Sequence, residues 1–257
     1  MLFGICTPVE HSAAVRAAGW DFVEERVDQL IQGLISDDQW QGGARAAKSV
    51  MPILAANVLV PPVLKITGPE ADPQRLLEYM KLVVSRSANM GIKTLVFGSG
   101  GARNVPDGFD RNHAKAQIID FLKMTAPLIQ ARGITLAIEH LNHKECNIIN
   151  SISEAMTYVR ELNHPSIQCL ADTFHFWLNS ESLDSLAEAL PSIVHVHVSD
   201  RDRSAPGFSR KEDYRPFFAI LKSGGYYGPI SVEANWPDMP QTAAGVLEYI
   251  KKQWKEA

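Results

Sequence analysis

Short apolar segments alternate with longer amphipathic segments along the 257-residue chain, and this alternation predicts an α/β fold. Eight of the short segments have the length of strands. They are apolar on both faces, as parallel strands covered by helices must be. Eight such repeats over about 250 residues are typical of a (β/α)8 TIM barrel. No linker-like or low-complexity stretch interrupts them, so residues 1–257 are expected to form a single domain.

Each predicted strand is a short apolar run bounded by polar or turn residues. In chain order the runs are LFGIC (2–6), FVEERV (22–27), PILAANVLV (52–60), TLVFGSG (94–100), TLAIEH (135–140), IQCLAD (167–172), IVHVHVS (193–199) and PISVEANW (229–236). A parallel barrel needs a helical connection after each strand, and the intervening segments have that length.

The segments between the strands carry helix signals. Residues 72–91 have acidic residues early, basic residues late and Gly91 placed as a C-cap. Residues 111–133 and 151–165 end in the same style. These three segments are therefore predicted to be helices of the outer ring.

Two connections have additional local features. Ser151 and Glu154 have the spacing of a capping box, which predicts a helix start at this point. The region from Leu30 to Lys48 is long and weakly patterned. We expect it to form an irregular lid beside the mouth of the barrel.

Composition and charge limit the class of partner. The chain is 46% hydrophobic, which suffices for a large core, and its net charge is −4. Nucleic-acid binding needs a clustered basic surface, so the sequence predicts no nucleic-acid partner. A small molecule is the expected partner, and homo-oligomerisation is left open.

Cysteine usage and the N-terminus bear on the compartment. The chain has an odd number of cysteines without CxxC spacing, namely Cys6, Cys146 and Cys169. This pattern fits buried thiols in a reducing compartment. The start MLFGICTPVEHSAA lacks the regions of a signal peptide, and no apolar stretch approaches the ~18 residues of a membrane span. A cytoplasmic protein that binds no membrane is predicted.

Four successive predicted strands carry an acid or a histidine near their carboxyl ends, where the chemistry of such a barrel lies. From the fifth strand to the eighth they are Glu139, Asp172, His197 and Glu233. Because side chains alternate along a strand, His195 and His197 are expected to point into the barrel. The alternating valines are expected to meet the helices: Val194, Val196 and Val198.

Inward carboxylates are costly to bury without a partner, and a cation among them removes this cost. Three carboxylates and one imidazole suit an octahedral or near-octahedral divalent ion better than a structural zinc. We therefore expect a cofactor such as Mn²⁺, Mg²⁺ or Co²⁺, with Zn²⁺ as an alternative. Four protein ligands would leave two positions for substrate oxygens. For each residue alone, a hydrogen-bonded core position is the competing interpretation.

Four motifs together resemble a known family. IEHLNHKECNIINS, ADTFHFW, VHVHVSDRDRSAPG and ISVEANW are similar to the motif series of the xylose-isomerase-like TIM-barrel sugar (phosphate) isomerase/epimerase superfamily. Their layout is nearest to the ketose 3-epimerases that act on D-tagatose or D-psicose. The resemblance runs through most of the chain and is strongest over residues 135–236.

The resemblance implies a metal-dependent sugar isomerase or epimerase and assigns roles residue by residue. The implied metal ligands are Glu139, Asp172, His197 and Glu233. Glu139 and Glu233 are also the implied acid/base pair. His175 and Arg203 match contacts to substrate oxygens. Glu24 is a looser match to an acid that ends the second strand, and it is also expected to contact the substrate.

The motifs also depart from the family pattern. Ketose epimerases usually read Glu-Pro-Leu-Asn where this chain has Glu139, His140, Leu141 and Asn142. The acid three residues after His197 is Asp200 where the family has Glu. These departures leave the substrate open. Because NWPDMPQ is bulky and acidic where a Gly-rich anion loop would stand, an unphosphorylated sugar or keto-polyol is expected.

Proton removal beside a carbonyl explains why these residue types are needed. The proton is weakly acidic unless negative charge on the carbonyl oxygen is stabilised, which a chelated metal does as a Lewis acid. Two carboxylates on opposite sides of the carbon then share the proton transfers through an enediolate and invert the centre. His175 would donate to one substrate oxygen, and Arg203 would hold a second.

Other signals are weaker, and each has a structural interpretation of equal or greater weight. Trp177 and Trp236, with Phe208 a weaker candidate, offer a wall for a sugar face or simple core packing. GSGGAR (98–103) predicts a tight turn rather than an anion nest with Arg103. HLNHKEC (140–146) predicts a solvated loop rather than a zinc site. One basic group would meet an acidic substrate or be merely solvated: Arg201, Arg203, Arg210 and Lys211.

Rival functions use the same fold. A keto-polyol dehydratase of the inosose type would begin with the same proton abstraction and then expel a neighbouring hydroxyl. A non-catalytic sugar-binding barrel would need no acid/base pair, so Glu139 and Glu233 count against it. A nuclease of the endonuclease IV type is disfavoured because its trinuclear site needs more ligands than the predicted cluster provides and because the chain is acidic.

Overall fold

Eight parallel strands close into one barrel in chain order, with β8 pairing to β1. The structure is a computed structural model, and it describes residues 1–208 and 212–257. The strands are β1 (Phe3–Cys6), β2 (Phe22–Glu24), β3 (Ile53–Ala56), β4 (Thr94–Phe97), β5 (Thr135–Glu139), β6 (Ile167–Asp172), β7 (Ile193–Val198) and β8 (Ile230–Val232). The predicted fold and all eight strands are confirmed. Most strands end earlier than predicted because the chain turns into mouth loops.

Helices surround the barrel. The α-helices are α1 (Ser12–Ala17), α2 (Gly42–Ala46), α3 (Pro73–Asn89), α4 (Gly100–Arg103), α5 (Arg111–Gln130), α6 (Ile152–Leu162), α7 (Thr173–Leu178), α8 (Leu183–Ala189), α9 (Arg215–Ser223) and α10 (Met239–Glu256). Short 3₁₀ turns span Val9–His11 and Leu190–Ser192, and a π turn spans Val27–Ile31. None of the described helices is long and apolar enough to cross a membrane.

The predicted caps form. Gly91 follows α3 with a φ of 81°, a left-handed conformation that glycine adopts without steric cost. At α6, Ser151 Oγ accepts from the backbone N–H of Glu154 at 3.0 Å. The Glu154 carboxylate reaches one residue further back than in an ordinary capping box, because it accepts from the backbone N–H of Asn150.

One orientation prediction is wrong. Val194 packs against a small apolar cluster and does not meet the helices. The cause is a register slip: Cys169 pairs with Ile193 but Leu170 pairs with His195, so Val194 is skipped in the ladder. The cluster lies inside the barrel, on the strand faces that carry Glu139 and Asp172 further along, and consists of Val96, Ala137 and Leu170.

The segment predicted as an irregular lid lies beside the mouth and contains one short helix, α2. Its Arg45 side chain bonds to Glu10 and Glu25, at 2.6 and 2.7 Å. Trp40 donates its indole N–H to the carbonyl of Leu30 at 3.0 Å. The segment is therefore tied to the first two strand ends by hydrogen bonds and ion pairs.

Candidate active site at the barrel mouth

The carboxyl ends of four neighbouring strands bring the predicted cluster together. Glu139 and Asp172 are the last residues of β5 and β6, His197 lies near the end of β7, and Glu233 follows β8. One ligand-type atom from each side chain lies within 4.8 Å of the others. The first three side chains are buried, and Glu233 is 21% exposed. The structure thus gives these residues the proximity that a shared ion requires, and their role as ligands remains a prediction.

The imidazole of His197 lies between carboxylates on both of its sides. Its Nε2 is 2.9 Å from Glu24 Oε1, while its Nδ1 is 3.0 Å from Glu233 Oε2 and 3.3 Å from Glu139 Oε1. Burial alone would lower the pKa of His197, but Glu24 and Glu233 outweigh burial and raise that pKa well above its usual range. A neutral ring that donates Nε2–H to Glu24 would turn a free Nδ1 towards the cluster.

The Glu24 carboxylate, which is predicted to contact the substrate, is hydrogen-bonded within the protein. It is fully buried, and protein groups face both of its oxygens. Oε1 lies 2.9 Å from His197 Nε2, while Oε2 lies 2.9 Å from His195 Nε2 and accepts from Ser231 Oγ at 2.7 Å. Burial would raise the pKa of Glu24, but the two imidazoles lower it well below its usual range. Glu24 is therefore placed to orient His197.

Arg203 is bonded to two members of the cluster. Its guanidinium donates to Asp172 Oδ2 at 2.8 Å and also to Glu233 Oε2. The guanidinium carbon lies 4.6 Å from the centre of the Phe174 ring, which supports it from the side. Burial would raise the pKa of Asp172, but Arg203 and His175 hold it well below its usual range. Arg203, a predicted substrate contact, is thus also paired with two carboxylates of the cluster and balances part of their negative charge.

His175 has a defined tautomer. Its Nδ1 accepts from the backbone N–H of Asn142 at 3.0 Å, so in the neutral ring the hydrogen sits on Nε2. That Nε2 lies 3.7 Å from Asp172 Oδ2. Since α7 begins directly after β6, this short connection turns the His175 donor towards the cluster.

Glu139 is buried against a glycine. A Cβ on Gly98 would lie 1.7 Å from Glu139 Oε2, so the carboxylate occupies the space that any other residue would fill. Burial raises the pKa of Glu139 despite the opposing effect of His197. For Glu233, burial acts in the same direction, but Arg203 and His197 outweigh it and lower the pKa.

The GSGGAR segment forms the short helix α4. The buried Arg103 side chain donates to the backbone carbonyls of Phe97 and Glu139, at 2.5 and 2.6 Å. Its guanidinium is directed into the protein, which does not support an anion nest. The Arg103 side chain instead links the ends of β4 and β5 through these two hydrogen bonds, and one of them holds the backbone of Glu139.

A cavity of about 340 Å³ opens beside the cluster, a volume within the range of small-ligand sites. Residues from the strand ends and the lid segment line it, including Cys6, Glu24, Asn57, Arg203, Glu233 and Asn235. Trp177 and Trp236 are not among the residues that line it. The ring centre of Trp177 lies 5.1 Å from that of Tyr214, and the ring centre of Trp236 lies 6.2 Å from that of Trp20. These positions agree with core packing, the alternative interpretation.

The HLNHKEC loop is half buried, which corrects the expectation of a solvated loop. His143, Lys144 and Glu145 are exposed, whereas the other four members are buried: His140, Leu141, Asn142 and Cys146. His140 Nε2 lies 3.1 Å from Glu181 Oε1. Burial lowers the pKa of His140 to about 3 and raises the pKa of Glu181 to about 7. Both groups are therefore neutral in their mutual contact at slightly acid pH.

The predicted basic group is divided. Arg203 lies in the cluster, and Arg201 is half exposed, 3.4 Å from Glu212. Arg210 and Lys211 lie outside the described residues. Phe208 is exposed and is not among the residues that line the cavity beside the cluster.

Sequence reasoning missed two residues of the mouth. Asn57 follows β3 and donates to Glu233, and Gly98 follows β4 and makes room for Glu139. The sequence carried little signal for either residue, because both lie inside the predicted strands 52–60 and 94–100, whereas the observed strands end directly before them. A short polar residue at the carboxyl end of a barrel strand can therefore belong to the site, as an acid does.

A closed parallel barrel with a buried polar cluster at the carboxyl ends of its strands defines a TIM-barrel protein with an enzyme-type site. The chain belongs to the xylose isomerase-like TIM barrel family, whose model matches residues 12–253. This match confirms the family resemblance of the motifs.

Curated relatives and solved structures agree with this membership. L-ribulose-5-phosphate 3-epimerase UlaE of Shigella sonnei (strain Ss046) is 27% identical over 270 residues, covering 97% of this chain and 89% of that protein. D-allulose 3-epimerase from Methylomonas sp., solved with D-allulose, superposes with a TM-score of 0.83 at 20% identity, covering 98% and 97% of the two chains. The 3-keto-D-glucoside 4-epimerase YcjR from E. coli gives a TM-score of 0.81 at 19% identity, covering 98% and 99%. These structural likenesses concern the fold.

Proposed function

We propose that the protein is a divalent-metal-dependent sugar isomerase/epimerase that moves a proton at a carbon beside a carbonyl group. The observation that carries the proposal is the cluster of Glu139, Asp172, His197 and Glu233, whose ligand-type atoms lie within 4.8 Å of one another beside an open cavity. The similarity to three epimerases supports the reaction class.

The donor set of the cluster fits a divalent ion. Carboxylate oxygens and an imidazole nitrogen are the ligands that Mn²⁺, Mg²⁺ and Co²⁺ accept, and they also admit Zn²⁺. Charge supports the same assignment. The cluster holds three carboxylates, and the guanidinium of Arg203, which is bonded to two of them, supplies one positive charge. With His197 neutral as a ligand, one divalent ion would balance the two remaining negative charges. The IOLI protein, whose solved structure superposes on this chain with a TM-score of 0.73 at 18% identity, contains a bound zinc atom.

When bound, the ion would act as a Lewis acid that stabilises negative charge on the substrate's carbonyl oxygen. Glu139 and Glu233 perform the proton transfers. They extend from the ends of β5 and β8, so they approach the bound carbon from different sides. One carboxylate removes the proton from one face, the other returns a proton to the opposite face, and the stereocentre is inverted.

His175 and Arg203 hold substrate oxygens. The Nε2–H of His175 is turned towards the cluster by the Asn142 contact and supplies a neutral donor. Arg203 lines the cavity and presents a guanidinium with several donors, so it can contact the substrate while it remains paired with Asp172. Together they fix the substrate's carbonyl end, which is where positioning lowers the barrier.

The substrate is proposed to be an unphosphorylated ketose or keto-polyol. The other two arginines that line the cavity are already paired. Arg26 makes two hydrogen bonds to Asp28, at 2.9 and 2.7 Å. Arg45 is bonded to Glu10 and Glu25. The charges of both arginines are therefore already balanced by carboxylates, so a phosphate dianion would meet little uncompensated positive charge in the described part of the mouth.

The experiment is a substrate panel in D₂O. Protein purified without chelator is analysed for bound metal and then incubated with ketoses, ketose 5-phosphates and keto-inositols. Deuterium at the carbon beside the carbonyl, with formation of the epimer or isomer, supports the proposal. A product lighter by one water identifies the dehydratase instead. Absence of exchange with every compound in metal-loaded protein, with sugar binding intact, would identify a non-catalytic barrel.

A further inference from the structure

We propose that Asn57 is a positioning residue that holds the Oε1 oxygen of Glu233 in place for proton transfer; this inference rests on the proposed function. Asn57 Nδ2 donates to Glu233 Oε1 at 2.7 Å, and Asn57 is 3% exposed. Both residues line the cavity beside the cluster. The contact joins side chains 176 positions apart in the chain.

Asn57 is itself held firmly. It follows β3 directly, and its backbone carbonyl accepts from the N–H of Val27 at 2.9 Å. The next residue, Val58, has a φ of +52°, a left-handed conformation that a β-branched residue rarely adopts. Such strain persists only where the surrounding structure enforces it, and it clusters at functional sites. On the far side of this turn, the backbone N–H of Leu59 donates to the carbonyl of Val96 at 3.1 Å, which fixes the turn.

The two oxygens of Glu233 have different neighbours. Oε2 faces the cluster, where Arg203 donates to it and His197 Nδ1 lies at 3.0 Å. Oε1 receives the Asn57 amide. A terminal carboxylate torsion is broad, so contacts to Oε2 alone leave the direction of Oε1 less restricted, and the Asn57 donor fixes it. The other close acceptor for Asn57 Nδ2 is Cys6 Sγ at 3.8 Å, a weak acceptor that competes little.

This difference between the oxygens implies a division of labour. Oε2 stays with the cluster, while Oε1, steered by Asn57, removes and returns the substrate proton. The amide is neutral, so it orients the carboxylate without competing for the cation that the cluster is proposed to hold. Glu139 is positioned differently, because its carboxylate fills the space that the missing side chain of Gly98 leaves open. Loss of Asn57 should therefore weaken proton transfer by Glu233 more than transfer by Glu139.

The test uses Asn57→Ala and the isosteric Asn57→Asp, which removes the donor and adds a like charge beside Glu233. We expect kcat to fall at least about 10-fold in Asn57→Ala and further in Asn57→Asp, with a smaller change in KM. Metal-induced melting shifts should match wild type. In D₂O, the epimer processed by Glu139 should take up deuterium faster than it converts, and the other epimer should not.

Asn235→Ala is the matched control, because Asn235 lines the same cavity and its backbone N–H bonds to the carbonyl of Arg203. This variant should keep the wild-type ratio of deuterium uptake to conversion for both epimers. Equal loss of uptake for both epimers in the Asn57 variants, or loss of metal binding, would overturn the proposal.

A second readout does not depend on activity. In ¹⁵N-labelled protein, the side-chain NH₂ group of Asn57, identified by its absence in Asn57→Asp, should exchange slowly with solvent. Glu233→Ala should accelerate that exchange at least about 10-fold, because the amide loses its hydrogen-bond acceptor. If the exchange rate is unchanged, the Asn57–Glu233 contact is refuted. If the contact is observed but no sugar is turned over by wild type, the proposed function fails and the geometry stands.

Discussion

Glu24 and His197 form a buried hydrogen bond inside the barrel, with 2.9 Å between Glu24 Oε1 and His197 Nε2. Neither side chain is exposed. The two residues lie on β2 and β7, and the bond fixes which ring nitrogen faces Glu139 and Glu233. An acid that orients a ligating histidine is a common support in metal sites, and its loss typically costs 10–100-fold in metal affinity.

The first prediction follows from this contact. Glu24→Gln keeps the size of the side chain but removes the charge that orients the ring, so we expect Mn²⁺ affinity to fall about 10–100-fold by isothermal titration. Glu25→Gln is the matched control, because the Glu25 carboxylate bonds to Val9 and Arg45. Equal Mn²⁺ affinity in the two variants would show that Glu24 does not orient the ligand.

Metal removal should change stability. The three carboxylates at the mouth repel one another, so Mn²⁺ or Co²⁺ should raise the melting temperature of stripped protein by mass action. The gain is about 2.7 kcal/mol at a metal concentration 100 times Kd. His197→Ala should weaken this effect strongly. His143→Ala, which changes an exposed histidine, should retain it. A melting temperature that does not respond to millimolar metal in wild type contradicts the ligand assignment.

The two glutamates should be separable by isotope exchange. Glu233→Gln and Glu139→Gln each keep an oxygen and the side-chain volume but lose the base, so turnover should fall about 10²–10⁴-fold. Each variant should still exchange solvent deuterium into the epimer that the remaining glutamate deprotonates, while net epimerisation is lost. Wild-type turnover in both variants would rule out the two-carboxylate mechanism.

Gly98→Ala should displace Glu139 without unfolding the protein. The new Cβ would stand 1.7 Å from Glu139 Oε2, at the movable end of that side chain. We expect kcat/KM to fall about 100-fold, as misplacement of a reacting group by an ångström does. Circular dichroism should stay as in wild type. Gly245→Ala is the control, since nothing lies within 4 Å of its added Cβ. Full activity of Gly98→Ala would mean that the position of Glu139 is unimportant.

The buried pair of His140 and Glu181 predicts a pH effect on stability. Burial raises the pKa of Glu181 to about 7, so the folded protein binds this proton more tightly than the unfolded chain. The associated stability is fully present below the unfolded pKa near 4.5 and is lost as pH rises through about 7. Glu181→Gln mimics the neutral acid and should be about 1–3 kcal/mol more stable relative to wild type at pH 8 than at pH 4.5. Denaturant unfolding at both pH values measures this difference, and parallel pH profiles would contradict it.

The sequence by itself determined the barrel and the meeting of the four cluster residues. Apolar runs with helical connections specify parallel strands, and a parallel barrel gathers every carboxyl end at one edge. Glu139, Asp172, His197 and Glu233 stand at those ends, so their proximity follows from strand order and the alternation of side chains. The physical reason is that both properties depend on local periodicity, which can be read from neighbouring residues.

Only the tertiary structure decided which groups each cluster residue contacts. Glu24 faces His197, and Asn57 reaches Glu233, through contacts between residues 173 and 176 positions apart. The skipped register at Val194 was equally invisible, because it depends on how β6 pairs with β7. Side-chain rotamers and strand register are set by packing between distant segments, and no local pattern in the sequence records them.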